Sequence, residues 1–160
     1  MDISVYVTAL RTSLVKKADV MNRLLASSQE QGRILKEEEP DMERFHQIIV
    51  EKDAALREIT ELDKGFDSVF ARIGEELKVQ KYQYQPMIQE MQNLIRSITD
   101  TGMQVEGQEQ RNKTAFQAYL AGERKEIKSF KTNNKMATSY YQNMANQHRE
   151  WQSYFLDQKK

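Results

Sequence analysis

Residues 42–77 read MERFHQIIVEKDAALREITELDKGFDSVFARIGEEL, and the spacing of their apolar positions decides the fold. Steps of three and four give Met42, Phe45, Ile49, Lys52, Leu56, Ile59, Leu62, Phe66, Val69, Ile73 and Leu77, of which ten of eleven are apolar. Residues three and four apart share one face of a helix, so this stretch reads as one long amphipathic helix. Two successive steps of three at Leu56-Ile59-Leu62 are a phase slip of the kind that overwinds a coiled coil. Gly65 follows it and marks a place for a bend.

Outward from this stretch, two prolines punctuate the chain. Pro40 follows Glu37-Glu38-Glu39, and Pro86 closes the Tyr/Gln-rich run Lys81-Tyr82-Gln83-Tyr84-Gln85. The residue before a proline avoids the helical region, while proline itself suits a first helical turn. On the N-terminal side the stripe continues as Ile3, Val7, Leu10, Leu14, Lys17, Met21, Leu24, Ser28, Gln31 and Leu35, seven of ten apolar. On the C-terminal side one heptad register runs from Ile88 to Tyr154, with 13 of 20 core positions apolar and the failures clustered at Gly102, Glu109 and Asn112 and again at Glu123, Glu126 and Asn133. The spacing therefore predicts an all-α protein of three long antiparallel helices, at about 2–37, 41–79 and 86–145, in an elongated coiled-coil-like bundle. The expected core is Leu14, Met21, Leu24, Phe45, Ile49, Leu56, Ile59, Phe66, Ile73, Ile88, Met91, Ile95 and Ile98. Residues 1–145 are expected to form one domain and 146–160 a C-terminal tail.

At about 1.5 Å per residue the first two helices span roughly 55–60 Å and the third about 90 Å. The third helix is thus the longest, and its C-terminal part protrudes beyond its partners, from about Gly122 onward. That part, with the turn just before it, carries Phe116, Tyr119, Leu120, Ile127, Phe130, Met136, Tyr140, Tyr141, Met144, Trp151, Tyr154 and Phe155. An uncovered aromatic and Met-rich surface of this kind marks a partner site suited to amphipathic helices. A fold-back, or a homodimer, would bury the same stripe.

Composition bounds the function. The chain has 160 residues, with 24 basic and 24 acidic side chains and no cysteine. Zero net charge argues against a general nucleic-acid binder, and the lack of cysteine excludes disulfides and zinc–thiolate sites. No run of about 20 apolar residues is present for membrane insertion, and no signal-peptide core is read, so a cytoplasmic location is expected. Residues 1–80 carry 12 bases and 16 acids, and residues 81–160 carry 12 and 8. Pairing Glu37, Glu38, Glu39, Asp41 and Glu43 with Arg124, Lys125 and Lys128 would fix the orientation of a helical hairpin.

Catalytic chemistry finds no support. Glu43-Arg44-Phe45-His46 has the Glu-x-x-His spacing of di-iron bundles, but His148 has Ala145 three residues before it, so the second half is missing. No nucleophile elbow, phosphate loop or zinc spacing occurs. No enzyme activity, cofactor or metal is expected.

A resemblance then emerges from Leu24-Leu25, Gln31 to Leu35, Lys36-Glu37-Glu38-Glu39-Pro40-Asp41, Phe45, Ile49, Lys52-Asp53, Leu56, Ile59 and Leu62-Asp63. This stretch resembles the hairpin of flagellar type III export chaperones of the FlgN kind, with their FliT-like relatives. Gln108-Glu109-Gln110-Arg111-Asn112 with Tyr119 is similar to the start of their long third helix. Ser139-Tyr140-Tyr141-Gln142-Asn143-Met144 and Phe155-Leu156-Asp157-Gln158-Lys159-Lys160 look like variants of the same family. The resemblance implies a chaperone that binds C-terminal helical segments of flagellar hook–filament junction or filament-cap proteins. It also implies that the chaperone prevents their premature assembly and passes them to the export gate. In the family the C-terminal third carries most of the client contact, and Tyr119 and Tyr140 become candidates for docking to the gate. The competing readings are a coiled-coil adaptor or homodimer without a secreted client, and a regulator that masks another protein's helix.

Overall fold

The computed structural model describes residues 2–122 and 134–143. Three long helices dominate: α1 over Ser4–Leu35, α2 over Met42–Val79 and α3 over Gln85–Gly122. Residues 134–143 are also helical, and no strand occurs among the described residues.

The ends of these helices follow from local chemistry. Asp41 caps α2 by accepting the Arg44 N–H on Oδ1 at 3.1 Å, one of four donors left unpaired at any helix start. Asp2 Oδ1 accepts the Ser4 N–H at 2.9 Å just ahead of α1, whose N-cap residue, Ile3, supplies no side-chain cap. Pro86 sits in the first turn of α3, where its missing N–H costs nothing. α2 runs through Gly65 without interruption.

Side-chain pairs fix the topology. Lys17 meets Asp63, Arg23 meets Glu58 and Arg44 meets Glu30, so α1 and α2 are antiparallel. Arg11 meets Glu90 near one end and Ser28 meets Glu109 towards the other, so α3 runs parallel to α1. Phe45 stacks on Phe116 and Lys52 pairs with Glu109, so α2 and α3 are antiparallel. α1 packs along both other helices, whereas α2 and α3 meet only through side chains. The bundle is therefore up, down, up, with α1 as its spine and a groove between α2 and α3.

That arrangement explains a departure from the expected core. Leu14, Met21, Leu24, Phe45, Ile49, Leu56, Ile59, Phe66, Ile73, Met91 and Ile98 are buried, but Ile88 and Ile95 are only half-buried. α3 turns Met91, Ile98, Val105, Asn112 and Phe116 inward, while Ile88 and Ile95 lie off that line and pack against the core from its edge.

The second departure concerns the C-terminal part. One straight helix to residue 145 would put residues 116 and 141 about 37 Å apart. Their ring centroids lie 6.0 Å apart. Residues 134–143 thus lie back against the bundle rather than in line with α3. The expected pairing of the acidic corner with Arg124, Lys125 and Lys128 falls outside the described residues; Arg44 instead bridges Glu30 and Glu51.

Candidate functional site

Six stripe positions that interrupt the apolar pattern, Lys17, Ser28, Gln31, Lys52, Glu109 and Asn112, are all buried. They form two polar layers. Lys17 pairs with Asp63 at 2.6 Å in the lower one. In the upper layer Lys52 Nζ donates to Glu109 Oε1 at 2.6 Å, and the Ser28 hydroxyl donates to the same oxygen. Asn112 Nδ2 donates to the Ser28 carbonyl at 2.8 Å, and Gln31 Nε2 to the Phe45 carbonyl at 3.1 Å. Gly32 lets α1 and α3 approach closely here: a Cβ on it would lie 2.5 Å from Gln108 Nε2 and 3.1 Å from Asn112 Oδ1.

Aromatic rings cover this layer. Phe45 of α2 and Phe116 of α3 stack with centroids 5.3 Å apart. Tyr141 tilts onto Phe116, and Tyr140 meets Tyr141 edge-on at 5.3 Å. The Lys52 ammonium lies 4.4 Å from the centre of the Tyr140 ring and 5.8 Å from that of Tyr141. A desolvated cation held against aromatic faces is a strong contact of its class. Lys52 is 1% exposed, Phe116 1%, Tyr140 3% and Tyr141 4%, so the cluster excludes water.

Charge and burial pull against each other in this space. Burial pushes the Lys52 ammonium below the usual lysine range, and Glu109 opposes that shift. Burial, and then the Glu109 carboxylate, push both tyrosine hydroxyls upward, so they stay protonated. Several polar atoms are left without partners: Glu109 Oε2, Gln31 Oε1, Asn134 Oδ1 and the hydroxyls of Tyr140 and Tyr141. Each such buried group costs about 1–3 kcal/mol. A cleft of about 290 Å³ opens beside the cluster, lined by Asp53, Leu56, Arg57, Thr60, Tyr140 and Asn143. Among the described residues no three His, Asp or Glu side chains are grouped as a metal site. His46 packs edge-on against Phe45 at 5.6 Å and has no acidic partner set. None of the described helices is long and apolar enough to cross a membrane.

The expected site residues divide accordingly. Phe116, Tyr119, Tyr140 and Tyr141 come together, with Phe116, Tyr140 and Tyr141 fully buried and Tyr119 and Leu120 half-buried. Met136 is exposed and stands apart from them. Ile127, Phe130, Met144, Trp151, Tyr154 and Phe155 lie outside the described residues. Sequence reasoning missed Phe45, Lys52, Glu109, Ser28 and Asn112 as parts of one cluster. Their signal was present as polar residues at stripe positions of three different helices.

The chain matches a protein-family model described as FlgN protein over residues 1–149. No curated protein and no solved structure gives a match.

Proposed function

We propose a client for this chain, which belongs to the FlgN family and is a FlgN-type flagellar export chaperone. The chaperones of this family bind flagellar hook–filament proteins. The client is the C-terminal helical segment of a hook–filament junction or filament-cap protein. The chaperone holds it in the cytoplasm, prevents its premature assembly and delivers it to the export gate.

The observation that carries this reading is the seat between α2 and α3 at the aromatic end. It is apolar at Phe45 and Phe116, and it accepts a helix, because residues 134–143 lie there as one. Helix-in-groove recognition needs such a seat. The client surface is centred on Phe116, Tyr119 and Leu120, and the remainder of the C-terminal third, with Ile127, Phe130, Met144, Trp151, Tyr154 and Phe155, completes it. Aromatic anchors of this kind carry most of the energy of an interface. Binding and release are the whole activity, with no chemical step. For the gate, Tyr119 is the better placed of the two candidate tyrosines, since it keeps accessible surface while Tyr140 is buried.

Co-purification tests this reading. The full chain is expected to retain a junction protein with an intact C-terminal helix and to lose it when that helix is deleted. Removing residues 123–160 is expected to leave the three-helix bundle helical and to abolish retention. Equal retention with and without the client's C-terminal helix would contradict the proposal.

A further inference from the structure

The upper polar layer is complete but for two atoms. Glu109 Oε1 accepts from both the Lys52 ammonium and the Ser28 hydroxyl, while Oε2 of the same carboxylate is buried and has no partner. Gln31 donates to the Phe45 carbonyl through Nε2, and its Oε1 is likewise unpaired. Asn112 is engaged at both ends, donating to the Ser28 carbonyl and accepting from Gln108. The two atoms left over are therefore both acceptors. The hydroxyls of Tyr140 and Tyr141 stand near Glu109, which adds to the upward push of burial on both, yet neither has a partner. Native structures satisfy nearly all buried polar groups, so a carboxylate oxygen left bare calls for a reason.

Its place supplies one. Lys52 lies seven residues after Phe45 on α2, and Glu109 seven before Phe116 on α3. The two helices are antiparallel, so the ion pair sits two helical turns, about 10 Å, from the Phe45–Phe116 pair along the same seat. A helix anchored on the two phenylalanines brings a residue two turns further along to Glu109. Charge limits what that residue can be. Lys52 and Glu109 pair at 2.6 Å and balance each other. A lysine or arginine there would bury a charge with no counterpart, and a carboxylate would face Oε2 with like charge. A hydroxyl or carboxamide donates to Oε2 and adds no charge. An apolar side chain forgoes the bond.

Resting on the client reading above, we propose that Glu109 sets the sequence the seat accepts: its Oε2 receives a hydrogen bond from a Ser, Thr, Asn or Gln on the client's apolar face, two turns from the residues that pack on Phe45 and Phe116. Lys52 is the positioning residue, holding the carboxylate by Oε1 and leaving Oε2 to the client. The seat thereby separates its client from other amphipathic helices of equal hydrophobicity, since specificity is a difference of affinities.

The probe is the C-terminal helical fragment of the hook–filament junction protein from the same bacterium. Each Ser, Thr, Asn and Gln on its apolar face is replaced singly by Ala, Val, Leu and Met respectively. One such replacement is expected to weaken binding to the natural chain about tenfold. The same replacement is expected to cost nothing against a Lys52→Met/Glu109→Met chain, a comparison in which any general loss of affinity cancels. Lysine or glutamate at that position is expected to weaken binding to the natural chain more than the apolar residue does. The measurements on the natural chain decide the outcome even where the paired variant fails to fold. Unchanged affinity for every replacement, an equal loss in the paired variant, or tighter binding with lysine overturns the inference and leaves the client reading standing. Failure of the parent fragment to bind the natural chain overturns the client reading and the inference with it.

Discussion

Lys52 of α2 and Glu109 of α3 form an ion pair at 2.6 Å with both side chains buried, Lys52 completely. This pair joins the two helices that share no backbone contact. Ser28 of α1 donates to the same carboxylate oxygen, so one acceptor ties all three helices together. The register of the bundle at its aromatic end is held at that point.

Breaking one side of such a pair leaves a buried charge without compensation, which costs about 3–5 kcal/mol. Lys52→Met is therefore expected to lower the unfolding free energy by about that much. Lys52→Met combined with Glu109→Met removes both charges at similar volume and is expected to recover most of the loss. Urea denaturation of the two single variants and the double variant checks this. Additive losses in the double variant contradict the coupling.

The core predicts an asymmetry between two isoleucines three residues apart on α3. Ile98 is fully buried and Ile95 half-buried. Ile98→Ala is expected to cost about 2–4 kcal/mol, and Ile95→Ala clearly less. Equal costs in chemical denaturation would place Ile95 under a cover that α2 and α3 do not supply.

His46 gives a pH signature. Burial holds its imidazole below the ordinary value of 6.5. The unfolded chain therefore binds the proton more readily than the folded one below pH 6.5, and stability is lost as pH falls through that value towards the folded pKa. Asp53 and Asp63 are shifted upward by burial and contribute the opposite slope at lower pH, whereas Glu30, held down by Arg44, acts with His46. The difference isolates the histidine. The melting temperature of His46→Gln is expected to fall less between pH 7.5 and 5.5 than that of the natural chain. Parallel pH profiles for the two proteins would contradict the assignment.

Much of this architecture is legible in the residues themselves. The stripe from Met42 to Leu77 and the prolines at 40 and 86 place α1, α2 and the start of α3 within a few residues. A stripe states which face is buried but not which neighbour buries it. It therefore could not show that Lys52 and Glu109 meet, or that Ile88 and Ile95 are only half-buried. The polar interruptions at Ser28, Lys52, Glu109 and Asn112 look like weak points in three separate helices; only their convergence makes them a layer. The return of 134–143 was hidden for a related reason. One heptad register continues from Ile88 to Tyr154, and Ala137 and Tyr140 occupy core positions in it whether the chain runs on or comes back.

Gly32 offers a local test of how closely α1 and α3 approach. Alanine there gains about 1 kcal/mol of helix propensity but meets the Gln108 amide at 2.5 Å. Gln108 Nε2 donates to Asn112 Oδ1 at 2.9 Å, so moving it loosens the Asn112 link to Ser28. Gly32→Ala is expected to show none of the propensity gain, and Gly32→Ala with Gln108→Ala to regain part of it. A Gly32→Ala variant about 1 kcal/mol more stable than the natural chain would contradict the close approach.

On the proposed function, this chaperone binds the C-terminal helix of a flagellar junction or cap protein through its aromatic end. Titration calorimetry of that fragment into the full chain, alongside a Phe116→Ala variant whose melt confirms that it remains folded, tests it most directly. Saturable binding by the natural chain, weakened at least tenfold in the variant, is the predicted result. Either no saturable binding of any junction or cap fragment, or undiminished binding by Phe116→Ala, would contradict it.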